Sequence, residues 1–408
     1  MILSSCLLLA QHDANASTDQ FDIVIINGHI IDGTGSPWYS GDVGIRAGRI
    51  AAIGNLKDSP RKQTIDAHGQ VVAPGFIDML GQSELTMLVN PRVPSKIYQG
   101  ITTEITGEGN SAAPLNPAII EAHRARLEHL HIHPDWTTFR EYFARLEHQG
   151  MGINLASYVG ATSVRRMVLG DADVQPTTDQ LAQMRLLVDH AMQDGAVGVS
   201  SALQYAPAPY AKTDELIALA SEAAKYGGIY ATHMRSEGDA ETAAIDEAVR
   251  IGHEARIPVE IWHLKAAGKS NWGRMPQLVA QIDAARASGV DISANTYAYT
   301  AWFNTFSAFI PPWAHDGGNA KLIERLKDPD TRASAKTCSP SPARGITSGR
   351  RFPDPKQSSS RWCRIRSSRL CRGSACQKSP PCGRRSRSRR CATCSSRTKP
   401  SPRSRSSA

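Results

Sequence analysis

The chain has 408 residues, of which 41% are apolar and 21% are charged, so it can bury one large core or two ordinary ones and is not disordered throughout. Its formal charge of +9 suggests an anionic partner, but the charge is unevenly distributed. Residues 333–408 hold 20 Lys and Arg and one acid, Asp354, whereas residues 1–332 hold 27 basic and 37 acidic residues. The globular part is therefore acidic, which argues against nucleic-acid binding by it.

Residues 1–20 are interpreted as a leader. The apolar run 2–10 is about as long as the core of a signal peptide, and residues 14–17 resemble a cleavage site, but no Lys or Arg precedes the run. A weak export signal and an unstructured leader are equally open. The first predicts a periplasmic or secreted protein and the second a cytoplasmic one. No segment offers the roughly 20 apolar residues of a transmembrane helix, so we expect no membrane span.

Residues 21–72 are typical of a small β module. The run that begins at Phe21 is rich in β-branched residues, and it contains the pairs Asn27-Gly28 and Asp32-Gly33. Such pairs favour tight turns, so the run predicts a strand and hairpin.

Residues 73–332 alternate apolar strands with helical stretches that end at glycine, the pattern of βα units around a parallel sheet. Strand ends recur about every 30 residues, which suits a barrel. A (β/α)8 barrel needs an eighth strand, and the composition changes to Ser, Arg, Pro and Cys where it should come. The sequence therefore predicts an α/β fold, a TIM-like barrel without strand 8. The seven predicted strands cover residues 71–78, 101–107, 153–159, 196–201, 229–233, 258–263 and 290–295.

Two histidines close consecutive predicted strands of this barrel. His233 ends one strand and His263 ends the next. Barrel active sites lie in the loops that follow the strands, and neutral imidazole is a common Zn²⁺ ligand, so the pair is a candidate metal site. The alternative is that each histidine caps its strand with a hydrogen bond. By contrast, the histidines between His123 and His148 lie among many Arg and Glu residues, which is typical of a solvated helix face.

Several motifs in one order resemble the N-acyl-D-amino-acid deacylase (D-aminoacylase) branch of the amidohydrolase superfamily. The resemblance spans about residues 21–330 and implies a barrel with a flanking β-sandwich, one tightly bound metal ion and a small N-acyl amino acid as substrate. His233 and His263 would be the two histidine ligands, and Lys265, Tyr297 and Tyr299 would face the substrate. The motifs are Val72-Ala-Pro-Gly-Phe-Ile-Asp78, Gly100-Ile-Thr-Thr, Thr232-His-Met-Arg-Ser-Glu237, His263-Leu-Lys-Ala-Ala-Gly268, Asn271-Trp-Gly273 and Pro311-Pro-Trp-Ala314.

The sequence departs from this family pattern at two ligand positions. Leu80 and Gln82 stand where the family has His-x-His, so a second metal ion is not expected there. Gly109 stands where the family has a Cys ligand, and Glu108 beside it can ligate Zn²⁺ through its carboxylate; the alternative is an exposed loop acid. Glu84 lies near the lost His-x-His as a further candidate. We therefore predict one Zn²⁺ ion bound by Glu108, His233 and His263.

The predicted reaction is hydrolysis of the amide of an N-acyl-D-amino acid. A related dipeptidase or cyclic-amide hydrolase uses the same metal chemistry and remains the alternative. The family's proton-shuttling Asp would follow strand 8, in a Gly-Ser-Asp context that is missing here, so the catalytic residue is unknown and we expect impaired activity. The acid Asp354 lies between two prolines, which does not suit a barrel strand.

The tail, residues 333–408, suggests a different class of function. It contains seven of the eight cysteines, which excludes a disulfide framework for the body, and an Arg/Ser-rich run at 384–390 that resembles RNA-associating segments. An RNA-binding tail is thus the competing hypothesis. An out-of-frame reading of a GC-rich coding region would also give this mixture of residues, and we expect the tail to add no core. The sequence leaves the oligomeric state open.

Overall fold

The computed structural model describes residues 20–299 and 301–337. Residues 1–19 of the predicted leader, Asp354 and the cysteines of the tail lie outside these residues, so what the sequence predicts for them stays a prediction.

The first five strands form one sheet in the order β3-β2-β1-β4, with β5 also paired to β1. The β1–β2 and β2–β3 pairs are antiparallel, and β4 and β5 run parallel to β1. The hairpin between β2 and β3 turns at Ala47-Gly48, whose φ angles of 49° and 72° suit a two-residue turn. The strands are β1 (Phe21–Ile30), β2 (Tyr39–Arg46), β3 (Arg49–Gly54), β4 (Arg61–Asp66) and β5 (Val71–Val72).

The turn predicted at Asn27-Gly28 is wrong. Asn27 takes a left-handed φ of 57°, but it does so inside β1, where the pairing with β2 shifts register between Ile25 and Gly28. The backbone N–H of Asn27 donates a hydrogen bond to Oδ1 of Asp42 (3.1 Å) across this bulge. Because β4 and β5 pair with the other edge of β1, the strand continues through the bulge instead of reversing.

In the described part of the chain, eight parallel strands follow, in two sheets. The first sheet has the order β6-β7-β8 and the second β9-β10-β11-β12-β13, so neighbours in the chain are neighbours in the sheet. All seven predicted segments contain a strand of these sheets. The segment 71–78 is split, because Val71 and Val72 join β1 instead, and the segment 153–159 is divided at Tyr158 between β8 and β9. The strands are β6 (Phe76–Asp78), β7 (Ile101–Thr106), β8 (Asn154–Ser157), β9 (Val159–Gly160), β10 (Gly198–Ala202), β11 (Ile229–His233), β12 (Val259–Ile261) and β13 (Ile292–Ala294).

Helices connect the parallel strands, giving the predicted α/β alternation. The described residues hold α1 (Thr86–Val89), α2 (Pro94–Ile97), α3 (Pro117–Ala122), α4 (Arg124–His129), α5 (Phe139–Gln149), α6 (Ala161–Leu169), α7 (Thr178–Gln193), α8 (Thr213–Ala224), α9 (Glu241–Ala255), α10 (Met275–Ala287), α11 (Asn319–Lys327) and α12 (Pro329–Thr337).

The main core lies between these helices and the parallel strands. Helix α8 buries Leu216, Leu219, Ala220 and Ala223, the face that its sequence predicts. Strand β10 is buried at every position, as is typical of a parallel strand covered on both sides. This packing fixes the ends of β11 and β12, where His233 and His263 lie.

The boundary predicted at Ala333 lies inside a helix. Helix α12 continues to Thr337, and Ala335 is 6% exposed, so helical structure extends past the predicted boundary. Within the described residues, no helix combines the length and apolar character needed to cross a bilayer.

Candidate metal site at the strand ends

The ends of three parallel strands bring Glu108, His233 and His263 together. His233 is the last residue of β11, His263 lies two residues beyond β12, and Glu108 lies two residues beyond β7. Strands β11 and β12 are parallel neighbours in one sheet, so the loops that follow them converge, and the loop after β7 of the other sheet meets them there. The ring centroids of the two histidines are 4.6 Å apart, with planes inclined by 80°. This separation is within the distance that joint coordination of one ion requires.

Glu108 Oε1 lies between the two imidazoles. It is 3.1 Å from Nδ1 of His233 and 3.5 Å from Nε2 of His263. The candidate ligand atoms of the three residues all lie within 4.8 Å of one another. The side chain is largely buried, so the predicted alternative of an exposed loop acid is wrong.

The backbone explains why the acid stands at 108 and a glycine at 109. Gly109 has a φ of 65°, and a Cβ built there would lie 2.5 Å from Cβ and 2.7 Å from the backbone N of Ala202. A side chain at position 109 would therefore collide with the backbone of Ala202, which can shift only at a large cost in free energy. Residue 108 is the position in this loop from which a ligand reaches the two histidines.

The local backbone of His263 is also unusual. Its φ is 42°, a region that residues other than glycine rarely adopt. Its amide donates a hydrogen bond to Oδ1 of Asn295 (2.7 Å), just beyond β13, which holds the residue in this conformation. Such local strain is frequent at functional sites.

Among the residues to which the sequence assigns no role, Gln82 and Glu237 contact the cluster through their side chains. Gln82 donates a hydrogen bond from Nε2 to Oε2 of Glu108 (2.6 Å). Glu237, four residues after His233, places Oε1 2.9 Å from Nδ1 of His263. Glu237 could have been predicted as a site residue, because it is an acid in the loop directly after a strand-end histidine. Nothing in the sequence indicates that Gln82 contacts Glu108.

Of the predicted substrate-facing residues, Lys265 and Tyr297 lie beside the cluster. Lys265 Nζ is 2.5 Å from Glu237 Oε1 and 5.3 Å from the centroid of the Tyr297 ring. The Tyr297 ring is 6.3 Å from that of His263. Tyr299 is 79% exposed and contacts the Tyr297 ring at 5.8 Å, so it lies further out.

Glu84 and Leu80 do not join the ligand group. Glu84 lines a cavity of about 440 Å³ together with Glu108, but its buried Oε2 has no hydrogen-bond partner among the described residues, and burial raises its pKa. Leu80 packs against Trp262 and Tyr158 in a small core cluster. His123 and Arg126 also line that cavity, so this part of the histidine-rich stretch is not the purely solvated face expected from sequence.

The charges of the cluster are strongly coupled. Burial favours the neutral form of Glu108, but hydrogen bonds and charge from His233 and His263 outweigh it and hold its pKa well below the ordinary value. Glu237 behaves alike: burial is outweighed by His263, His233 and Lys265, and its pKa falls to about 2. Burial lowers the pKa of Lys265 despite the charge of Glu237. Both carboxylates are therefore ionised at neutral pH.

The three residues fit a zinc ion. Tetrahedral Zn²⁺ with bonds of about 2.0 to 2.1 Å separates its ligand atoms by about 3.3 Å, and the 3.1 and 3.5 Å distances from Glu108 Oε1 lie on either side of that value. Two imidazole nitrogens and a carboxylate oxygen form an accepted zinc donor set. The remaining imidazole nitrogen of His233, Nε2, is buried without a hydrogen-bond partner in the described residues and lies 3.9 Å from Glu237 Oε1.

Comparison with known proteins identifies similar enzymes. The chain is 40% identical over 283 residues to the N-acyl-D-glutamate deacylase of Alcaligenes xylosoxydans xylosoxydans. The aligned region covers 69% of this chain and 57% of the relative. It is 38% identical over 289 residues to the D-aminoacylase of the same organism, covering 71% and 59%. The chain thus spans less than two thirds of the length of these relatives. No protein-family model matches it.

Solved structures of such enzymes share the fold. A D-aminoacylase structure described as having a binuclear metal centre matches with a TM-score of 0.64 and 38% identity, over 68% of this chain and 59% of that chain. The N-acyl-D-glutamate deacylase of Bordetella bronchiseptica, complexed with zinc and a phosphonate inhibitor, matches with a TM-score of 0.64 and 38% identity, over 69% and 59%. The fold is therefore of the amidohydrolase α/β type.

Proposed function

This chain belongs to the N-acyl-D-amino-acid deacylase family of the amidohydrolase superfamily, and from that premise we propose that its strand-end cluster binds one Zn²⁺ ion for the hydrolysis of N-acyl-D-amino acids. The observation that carries the proposal is the placement of Glu108 Oε1 between two imidazole nitrogens at zinc-compatible distances. One ion suits this chain, because Leu80 and Gln82 replace the family's His-x-His.

The proposed architecture is a barrel that lacks its eighth strand, flanked by a β-sandwich module. The support is that the parallel strands follow chain order within each of the two sheets, β6 to β8 and β9 to β13, and that helices connect most of them. This order brings the loops after β7, β11 and β12 to one edge, where active sites of such barrels are built.

The residues around the cluster have distinct proposed roles. Glu108, His233 and His263 hold the ion, which when bound supplies Lewis-acid polarisation of the scissile carbonyl and a nucleophilic water near neutral pH. Lys265 offers an ammonium group to the substrate carboxylate, and Tyr297 borders the same space. A cavity of about 760 Å³, lined by Trp272, Met275 and other mainly apolar residues, adjoins Lys265 and can take an apolar part of the substrate.

No residue of the cluster is assigned to pass the proton to the leaving amine. Both carboxylates at the cluster are engaged, Glu108 by the histidines and Glu237 by His263 and Lys265. The family resemblance assigns this step to an Asp after strand 8, which the sequence does not offer in that context. We therefore propose that this chain forms the zinc site but hydrolyses its substrate slowly.

The test is metal titration joined to a stereochemical assay. The metal-stripped chain is titrated with Zn²⁺, and hydrolysis of N-acetyl-D-methionine is compared with that of its L enantiomer. We expect one equivalent of zinc to bind and slow, D-selective hydrolysis to stop on chelation. His233→Ala is the matched control and should bind no stoichiometric zinc. Zinc-independent hydrolysis, or equal zinc binding by the chain and by His233→Ala, would contradict the proposal.

A further inference from the structure

Glu237 contacts three basic groups of the site through one oxygen. Oε1 lies 2.9 Å from Nδ1 of His263, 2.5 Å from Nζ of Lys265 and 3.9 Å from Nε2 of His233. The residue is 7% exposed, so water does not readily replace these contacts. It stands in the loop between β11 and α9, outside the group of candidate ligands.

These contacts give Nδ1 of His263 two competing partners. Glu237 Oε1 and Lys265 Nζ each lie 2.9 Å from it. A carboxylate can only accept a hydrogen bond and an ammonium group can only donate one. Neutral His263 therefore has two tautomers: Nδ1–H faces Glu237, or bare Nδ1 accepts from Lys265 while Nε2–H donates to Oε1 of Glu108.

The two tautomers have opposite consequences for the metal. Nε2 is the atom that faces Glu108 Oε1, at 3.5 Å. Only the Nδ1–H tautomer leaves a lone pair on Nε2 for an ion. In that tautomer Lys265 is still satisfied, because its ammonium group donates to the same carboxylate oxygen.

We propose that Glu237 is a positioning residue that selects the Nδ1–H tautomer of His263 and draws Lys265 away from this ring. The inference rests on the proposed zinc site. The carboxylate thereby orients a metal ligand and a substrate-facing ammonium group at once. Removal of a residue that hydrogen-bonds to a metal ligand commonly lowers metal affinity by about 10- to 100-fold.

The test begins with the tautomer in metal-free protein, by ¹⁵N NMR of the histidine rings over a pH series that ends where the His263 ring is neutral. We expect a larger Nδ1–H fraction of His263 in the parent chain than in Glu237→Ala, because the contact of Nε2 with Glu108 is common to both. In Glu237→Ala the carboxylate is gone and Lys265 is free to donate, so the Nε2–H form should take over. Glu237→Ala/Lys265→Met removes the competing donor as well and should restore part of the Nδ1–H population.

Zinc affinity, measured by competition with a chelator, is the second readout. We expect a loss of about 10- to 100-fold in Glu237→Ala and partial recovery in the double variant. Glu237→Gln keeps the shape of the side chain and replaces Glu237→Ala if the alanine variant folds poorly. Its zinc affinity should lie between those of Glu237→Ala and the parent chain. Glu241→Gln is the matched control, because Glu241, the first residue of α9, is fully buried with no hydrogen-bond partner for its carboxylate among the described residues.

The outcomes separate the inference from the proposed function. An Nδ1–H fraction of His263 that does not fall in Glu237→Ala, or unchanged zinc affinity in folded Glu237→Ala, would overturn the positioning role. If the tautomer shifts as expected but the parent chain binds no zinc, the positioning role stands and the zinc site fails. A loss in Glu241→Gln as large as that in Glu237→Ala would also overturn the inference, since any buried carboxylate would then suffice.

Discussion

Gln82 donates a hydrogen bond of 2.6 Å from its side-chain amide to Oε2 of Glu108. The residue that stands at one position of the family's His-x-His pair therefore contacts the carboxylate that we propose as the third zinc ligand. The bond leaves Oε1 of Glu108 facing His233 and His263. The two departures from the family pattern are thus linked in space.

Gln82→Ala should weaken zinc binding about 10-fold, because Glu108 loses the contact that fixes its rotamer. Chelator competition measures the change. Gln204→Ala is the control, since Gln204 lines the same cavity but donates to the carbonyl of Met234 (3.4 Å). Equal affinities for both variants would show that the hydrogen bond does not orient Glu108.

Glu108→Cys should keep stoichiometric zinc binding, whereas the isosteric Glu108→Gln should lose it. A thiolate is a good Zn²⁺ ligand, and a neutral amide is a poor one. Metal analysis after dialysis measures both. Retained zinc in Glu108→Gln would mean that the ion is held without this side chain, which would contradict the assigned ligand set.

Gly109→Ala should destabilise the protein by about 1 to 3 kcal/mol, because the new Cβ would collide with Ala202 in a left-handed backbone conformation. Gly170 is a matched control: it has the same φ of 65°, but a Cβ there meets no atom within 4 Å. Chemical denaturation of both variants separates collision from backbone strain. A Gly170→Ala variant as unstable as Gly109→Ala would refute the collision.

The sequence predicts the two histidines because their roles follow from local order. A strand followed by a histidine is visible in the sequence, and parallel packing then brings the strand ends together. Glu237 and Gln82 act through contacts made in loops, and the sequence does not specify where a loop side chain points. The same limit explains Asn27, whose turn signal is overridden by strands that pair with both edges of β1.

Glu241 makes the stability of the metal-free protein pH-dependent. Burial, and then the charge of Glu237, raises its pKa from 4.5 to about 8. A carboxyl group whose pKa is raised by folding favours the folded state most while it is protonated, so its contribution is lost as the pH rises from 4.5 through 8. Glu241→Gln mimics the protonated form. Its Tm advantage over the parent chain should therefore be larger at about pH 9 than at about pH 5; an equal advantage at both would contradict the assignment.

The last prediction concerns activity. The chain should hydrolyse N-acyl-D-amino acids much more slowly than a version whose reading frame is shifted by one base near codon 333. Residues 333–408 contain one acid, Asp354, between two prolines, so the sequence supplies no Asp in the context that the family uses for proton transfer. General acid–base groups contribute about 10²- to 10⁴-fold, and misplaced substrate adds to the loss. Both versions are assayed with equal zinc content, and His233→Ala in the shifted version controls for metal-independent hydrolysis. Comparable turnover by both versions would refute the prediction, and turnover confined to the shifted version would support both the frame interpretation and the missing proton shuttle.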